Sequence, residues 1–280
     1  MGLLLASGQV EQNLGRWEQA REHLQRARDL DPRSWRAHSN LGQLLIRLRR
    51  YREARELLER GLAFAPTNLD LILIKAMTYL GEGDLSGSRG VLASVPKEVE
   101  PTALVAYFAN AWDLHWVLDE PRRELLLRLT PVALYDDRGL WGLVMAQAYA
   151  LLGQKEEVKK YAEEARRDYE RQSAEAPNDA QRHLFLGLAL AYLGREVKAV
   201  AEGERALALT PITKDARGGP YYQHQVVRIH ILLGHQEKAL DLLEPLLKIP
   251  SFLSPGWLKV DPNFDPLRQN PRFQRLLAGR

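Results

Sequence analysis

The sequence predicts an all-α solenoid of stacked helical hairpins, and three observations predict it. A 34-residue spacing recurs at the amino end, where Gly15-Arg16-Trp17 returns as Arg49-Arg50-Tyr51 and then as Gly83-Asp84-Leu85. Each unit repeats a small residue (Ala20, Ala54, Ser88) followed four positions later by leucine (Leu24, Leu58, Leu92). Proline closes the first two units, at Pro32 and Pro66. A period of this size marks paired helices that bury their apolar faces only on neighbouring pairs.

Unit by unit, the second is the clearest. Leu41-Gly42 lies in its first helix, and Tyr51, Ala54, Leu58, Gly61 and Pro66 follow. Small residues let helix backbones approach, and the leucines fill the space between them. Proline cannot continue a helix, so Pro66 ends the unit. A degenerate fourth unit, 101–131, replaces these landmarks with Pro101, with Asp119-Glu120-Pro121 and with the aromatic run Tyr107, Phe108, Trp112, His115, Trp116. That run reads as one helix whose bulk fills wider gaps. Units five to seven close their first helices at Gly153, Gly194 and Gly234, so the spacing lengthens to 41 and 40 residues. The sixth keeps Leu186-Gly187, Ala199, Ala206 and Pro211, and the seventh keeps Ala239 and Leu243. Seven hairpins over 1–250 are expected. Residues 251–280 follow a different pattern, in which Asp261-Pro262, Asp265-Pro266 and Asn270-Pro271 each pair an N-cap residue with a helix-starting proline. With Phe264, Leu267, Phe273, Leu276 and Leu277 they predict short helices that seal the last repeat.

These landmarks resemble the tetratricopeptide repeat (TPR) family. The resemblance covers about 1–250 and is strongest in units one, two and six. It implies a right-handed superhelix with first helices lining a concave groove, and a non-catalytic scaffold that binds a peptide or partner protein there. Carrying the family's face pattern onto this chain gives Gln9, Asn13, Arg36, Ser39, Gln43, Arg47, Met77, Gln147, Tyr192, His224 and Arg228 as partner-binding residues. The family's carboxylate clamp for chaperone tails needs Lys, Asn and Arg in three successive units. Only Gln9, Gln43 and Arg47 approximate it, which argues against chaperone-tail binding. The tail, from Leu258-Lys259-Val260 to Pro271-Arg272-Phe273, also resembles the carboxyl ends of TPR regions in multidomain bacterial signalling proteins. With a start inside the first repeat, it gives the alternative reading of a sensor or regulatory segment of a kinase, cyclase or winged-helix protein.

Composition narrows the chemistry. Of 280 residues 45% are hydrophobic, so the chain is not disordered. A charge of +3, from 39 basic and 36 acidic residues, lacks the basic excess of a nucleic-acid binder. No column of base-reading side chains recurs at a fixed position of the units, as RNA-binding repeats require. Without cysteine there is no disulfide and no thiolate chemistry. The longest uncharged run, Gly139–Gln154, has 16 residues, short of a membrane span. The opening Met1-Gly2-Leu3-Leu4-Leu5-Ala6 lacks a basic leader and turns polar, and the expectation is a cytoplasmic protein. The seven histidines lack ligand spacing, and no nucleophile elbow or phosphate loop occurs, so neither metal, cofactor nor catalysis is expected. Asp119 and Asp136-Asp137 read as helix caps. The arginine run Arg47, Arg49, Arg50, Arg52, Arg55, Arg60 interleaves with Glu53, Glu56 and Glu59 and reads as a solvated face. The insertion Thr213–Tyr222, between units six and seven, is the loop open to a binding role.

Overall fold

The computed structural model describes residues 1–279, and helices carry nearly all of the order. The first three hairpins pair α1 (Gly2–Asn13) with α2 (Trp17–Leu30), α3 (Trp35–Arg47) with α4 (Tyr51–Phe64), and α5 (Leu69–Glu82) with α6 (Leu85–Ala93). The recurring Gly15/Arg49/Gly83 landmark is the turn between partner helices, where the backbone must go left-handed. Gly15, Gly83, Gly153, Gly194 and Gly234 all sit at positive φ, and Arg49 reaches 58° without glycine's freedom. Side chains of Ser34, Asn68 and Asp84 accept backbone N–H bonds and start the following helices.

The fourth unit departs from the hairpin plan. Glu100 caps α7 (Pro101–Asn110), and Asp119 caps α8 (Glu120–Leu126). The aromatic run does not lie on one helix. The helix stops at Asn110, and Trp112 and Asp113 adopt positive φ of 62° and 55° inside the kinked stretch Ala111–Val117. The kink has a physical return: it turns Asp113 and Trp112 inward, while Phe108 and Trp116 fill the core.

Regular hairpins resume with α9 (Arg138–Leu151) and α10 (Lys155–Glu175), then α11 (Ala180–Tyr192) and α12 (Glu196–Leu209), then α13 (Gly219–Leu232) and α14 (Gln236–Leu246). The 41-residue spacing comes from α10, 21 residues long against 14 for α4. The 40-residue spacing comes from the loop 210–218 before α13. A Cβ on Gly142 would stand 2.8 Å from the Tyr161 carbonyl oxygen and the Ala165 nitrogen, so α9 and α10 touch nearly backbone to backbone.

The tail does more than cover the last hairpin. After α14 it forms α15 (Pro255–Val260), a 3-10 turn (Pro262–Leu267) and α16 (Pro271–Leu277). On α16, Arg272 pairs with Asp241 at 2.7 Å and Glu244 at 3.0 Å on α14. At α15 the chain reaches the third hairpin, where the Ser254 hydroxyl donates to the Gly81 carbonyl at 2.6 Å. Two further ties close the array on itself. The Ala216 N–H donates to the Asn13 carbonyl at 2.9 Å, and the Arg49 guanidinium donates to the Leu247 carbonyl.

Candidate functional site at the amino-terminal mouth

The inner face of the first helices is the expected site, and the protein fills most of it with its own side chains. Trp112 meets Phe252 at 4.9 Å between ring centroids, and Trp116 meets Trp257 at 6.1 Å. His224 lies 5.9 Å from Phe264, stacked. Beside this aromatic plug runs a buried polar hub. The Asp113 carboxylate accepts from Tyr221 Oη at 2.9 Å and Gln225 Nε2 at 2.7 Å, with Arg228 Nη1 at 3.5 Å. Arg228 also donates to Gln147 Oε1 at 3.1 Å and Asn263 Oδ1 at 3.3 Å. Burial and the Asp113 carboxylate together push the Tyr221 hydroxyl well above its ordinary range.

The structure therefore splits the eleven residues assigned to the groove. Met77, Gln147, His224 and Arg228 are buried, and the last three face the plug or the hub. Tyr192 stands beside Arg228, and burial raises its hydroxyl. Ser39 is buried and donates to Asp70, whose carboxylate also accepts from Tyr107 Oη at 2.9 Å. Gln9 bonds Asn40 across α1 and α3 at 2.9 Å. Arg36 is exposed, its guanidinium 4.8 Å from the centre of the Trp35 ring. The remaining three, Asn13, Gln43 and Arg47, come together.

They line one wall of a cavity of about 410 Å³, with Asn110 and Trp112 beside them. The opposite wall comes from Gln181 and Phe185 on α11, from Asp215, Arg217 and Gly218 in the insertion, and from Tyr221 and Tyr222 on α13. The first two hairpins and the last two thus share one space, held at that register by the Ala216–Asn13 bond.

Its electrostatics are unusual for this chain. Arg47 is 5% exposed and its one hydrogen bond among the described residues runs from Nη1 to the Gln43 carbonyl at 3.2 Å. The rest of the guanidinium lies 5.7 Å over the Trp112 ring. Burial, reinforced by the like charge of Arg217, pulls Arg47 down to about 9, and it stays a cation at neutral pH. Among the described residues no carboxylate pairs with the Arg217 guanidinium, and Asp215 Oδ1 accepts the backbone N–H groups of Arg217 and Gly218. Asn13 Oδ1 is buried without a hydrogen-bond partner. Two arginines of the outer run, by contrast, are paired: Arg55 with Glu82 at 2.6 Å and Arg52 with Glu56 at 3.1 Å. Two arginines against the one Asp215 carboxylate leave the concavity net positive, which suits a small anionic group with an apolar neighbour.

Residues 5–68, the first two hairpins, match the tetratricopeptide repeat family. That match identifies the first two hairpins as tetratricopeptide repeats. Among solved structures it is similar to a thermophilic TPR protein of Thermus thermophilus, at 18% identity and TM-score 0.30, covering 89% of this chain and 90% of that one. It is also similar to a tetratricopeptide repeat protein of Parabacteroides merdae, at 13% identity and TM-score 0.42, covering 99% and 97%. A third is the TPR2AB domain of a yeast protein in complex with pHSP90, at 14% identity and TM-score 0.32, covering 98% and 97%. No curated protein matches the sequence. No helix among the described residues is long and apolar enough to cross a membrane.

Face assignment alone reaches only one wall of the cavity. Asn110, Trp112, Gln181, Phe185 and Arg217 lie outside the residues that the face pattern selects. Trp112 was visible in the aromatic run, and Arg217 in the insertion at 213–222, the length change that brings Arg217 and Tyr222 to the amino-terminal hairpins.

Proposed function

We propose that the chain is a non-catalytic interaction scaffold of the cytoplasm whose binding site is the amino-terminal mouth. A partner segment runs from Arg36 at the lip, past Gln9, Asn13 and Gln43, to Arg47 at the inner end. One observation supports this reading: Arg47 and Arg217 line a shared cavity, and among the described residues neither guanidinium is paired with a carboxylate. Two cations in one concavity attract an acidic group more strongly than the same charges spread on a convex face. Each guanidinium can grip a carboxylate or phosphate with two parallel hydrogen bonds. The carboxylate lining the cavity, Asp215, is engaged by backbone N–H groups, which fits binding in preference to acid–base chemistry.

Selection from a random peptide library on the intact chain tests the reading. Asp- and Glu-containing peptides should be enriched over the input, and replacing Arg36 and Arg47 with Ala should abolish that enrichment at unchanged helicity. Arg50 and Arg52 are the control pair, since they lie outside the cavity and pair with Glu53 and Glu56. Loss of enrichment in the Arg50/Arg52 variant alone moves the site to the outer arginine run and overturns the proposal.

A further inference from the structure

The walls of the cavity say what kind of anion it is shaped for. Among the described residues, the side chains of Asn13, Gln43, Asn110, Gln181 and Arg217 make no hydrogen bond to protein, and Arg47 makes one. Two other arginines are held by several partners. Arg272 alone reaches three carboxylates, and Arg228 reaches Gln147, Gln225, Asn263 and Asp113. Arg47 is the deepest of these donors at 5% exposed, and a buried cation with one hydrogen bond is completed by an acceptor-rich visitor. A carboxylate offers two oxygens; a phosphate monoester offers three equivalent ones, enough to engage both arginines at once. Two aromatic rings belong to the remaining lining. Phe185 and Tyr222 stand on α11 and α13, across from the Arg47–Trp112 stack. The volume of about 410 Å³ lies within the roughly 300–1,000 Å³ of small-ligand sites.

We propose that this cavity binds a phosphate monoester carried beside a flat aromatic ring, with the phosphate on Arg47 and Arg217 and the ring against Phe185 and Tyr222. This rests on the amino-terminal mouth being the ligand site and specifies its chemistry. A free nucleotide and a phosphotyrosine on a partner segment present the same group. Because the two walls belong to the first and last hairpins, the ligand also bridges the two ends of the array.

Calorimetric titration of the intact chain tests it, with adenosine 5′-monophosphate and an O-phosphotyrosine peptide as the two sources. Phenyl phosphate, benzoate and adenosine report the chemistry. Saturable binding of at least one phosphate source is expected, with phenyl phosphate at least tenfold tighter than benzoate and adenosine silent. Arg217→Ala, in a loop, should weaken binding tenfold or more at unchanged melting temperature, and Arg47→Met should do the same if it folds. Benzoate matching phenyl phosphate, or binding indifferent to Arg217→Ala, overturns the inference. If Glu-rich peptides bind through Arg47 while no phosphate ester does, the scaffold reading stands and this one falls. If phosphate esters bind and no peptide does, the reverse holds.

Discussion

At the residue scale, the interior is notable for what it keeps uncharged. His115 and His224 are buried with neither ring nitrogen hydrogen-bonded, and both lie close enough to Arg228 to feel its charge. Burial first, then Arg228, pulls each imidazole down to about 3. The unfolded chain takes up those protons near the ordinary 6.5, so their stabilising contribution is complete above pH 6.5 and falls as pH drops toward 3. Each histidine contributes a slope of up to about 1.4 kcal/mol per pH unit in that window. His38 and His230 shift the same way, chiefly through burial. Between pH 7 and pH 5 ordinary carboxylates do not titrate, so the melting temperature should fall there. His115→Leu with His224→Leu should flatten the fall. A melting temperature level from pH 7 to 5 would mean these rings are not held neutral inside.

At the scale of elements, the hairpins were legible because their packing is local. The Ala20/Ala54/Ser88 column, four residues before the Leu24/Leu58/Leu92 column, needs only neighbouring helices to explain it, and all six side chains are buried. Caps were equally local, as Asp119 and Asp137 show by accepting the N–H of Arg122 and Leu140. The kink at Trp112 and Asp113 was not legible. Nothing in Ala111-Trp112-Asp113 breaks a helix by propensity, and the left-handed backbone is offset by partners far along the chain, such as Gln225 at a separation of 112. Ala54 tests the local logic. It is fully buried where α4 meets its neighbours, and Ala54→Leu should cost roughly 1–3 kcal/mol through overpacking. Chemical denaturation reads this directly, and an unchanged midpoint would show a gap at that contact.

At the scale of the molecule, the array is closed, and closure decides which surfaces remain free. The tail's apolar residues pointed to the seal over α14, but not to its crossing to the third hairpin. Ser254 and Gly81 are 173 positions apart, and no periodicity records such a contact. The clue that existed was indirect: polar residues on inward faces, such as Gln147 and Arg228, need partners, and Trp257 and Phe264 need a core. For the same reason the amino-terminal wall of the cavity was legible from α1 and α3, whereas the opposite wall awaited the closure that delivers Arg217. Residues 251–280 should therefore be inseparable from the fold. Leu253, Trp257, Phe264 and Phe273 are at most 1% exposed, and their loss would uncover Leu240 and Leu243 on α14 together with the inner faces of α5 and α13. A chain ending at residue 250 should aggregate or melt at a clearly lower temperature. Gly256→Ala is the milder probe, because a Cβ there would collide with the Gly81 carbonyl oxygen and come within 2.7 Å of the Gly83 nitrogen. It should push α15 off α5 while leaving the contacts of α16 with α14 in place. Amide exchange should then rise at the end of α5 and stay protected along α14. Equal protection of α5 in variant and parent would show that the crossing contributes nothing to the closed form.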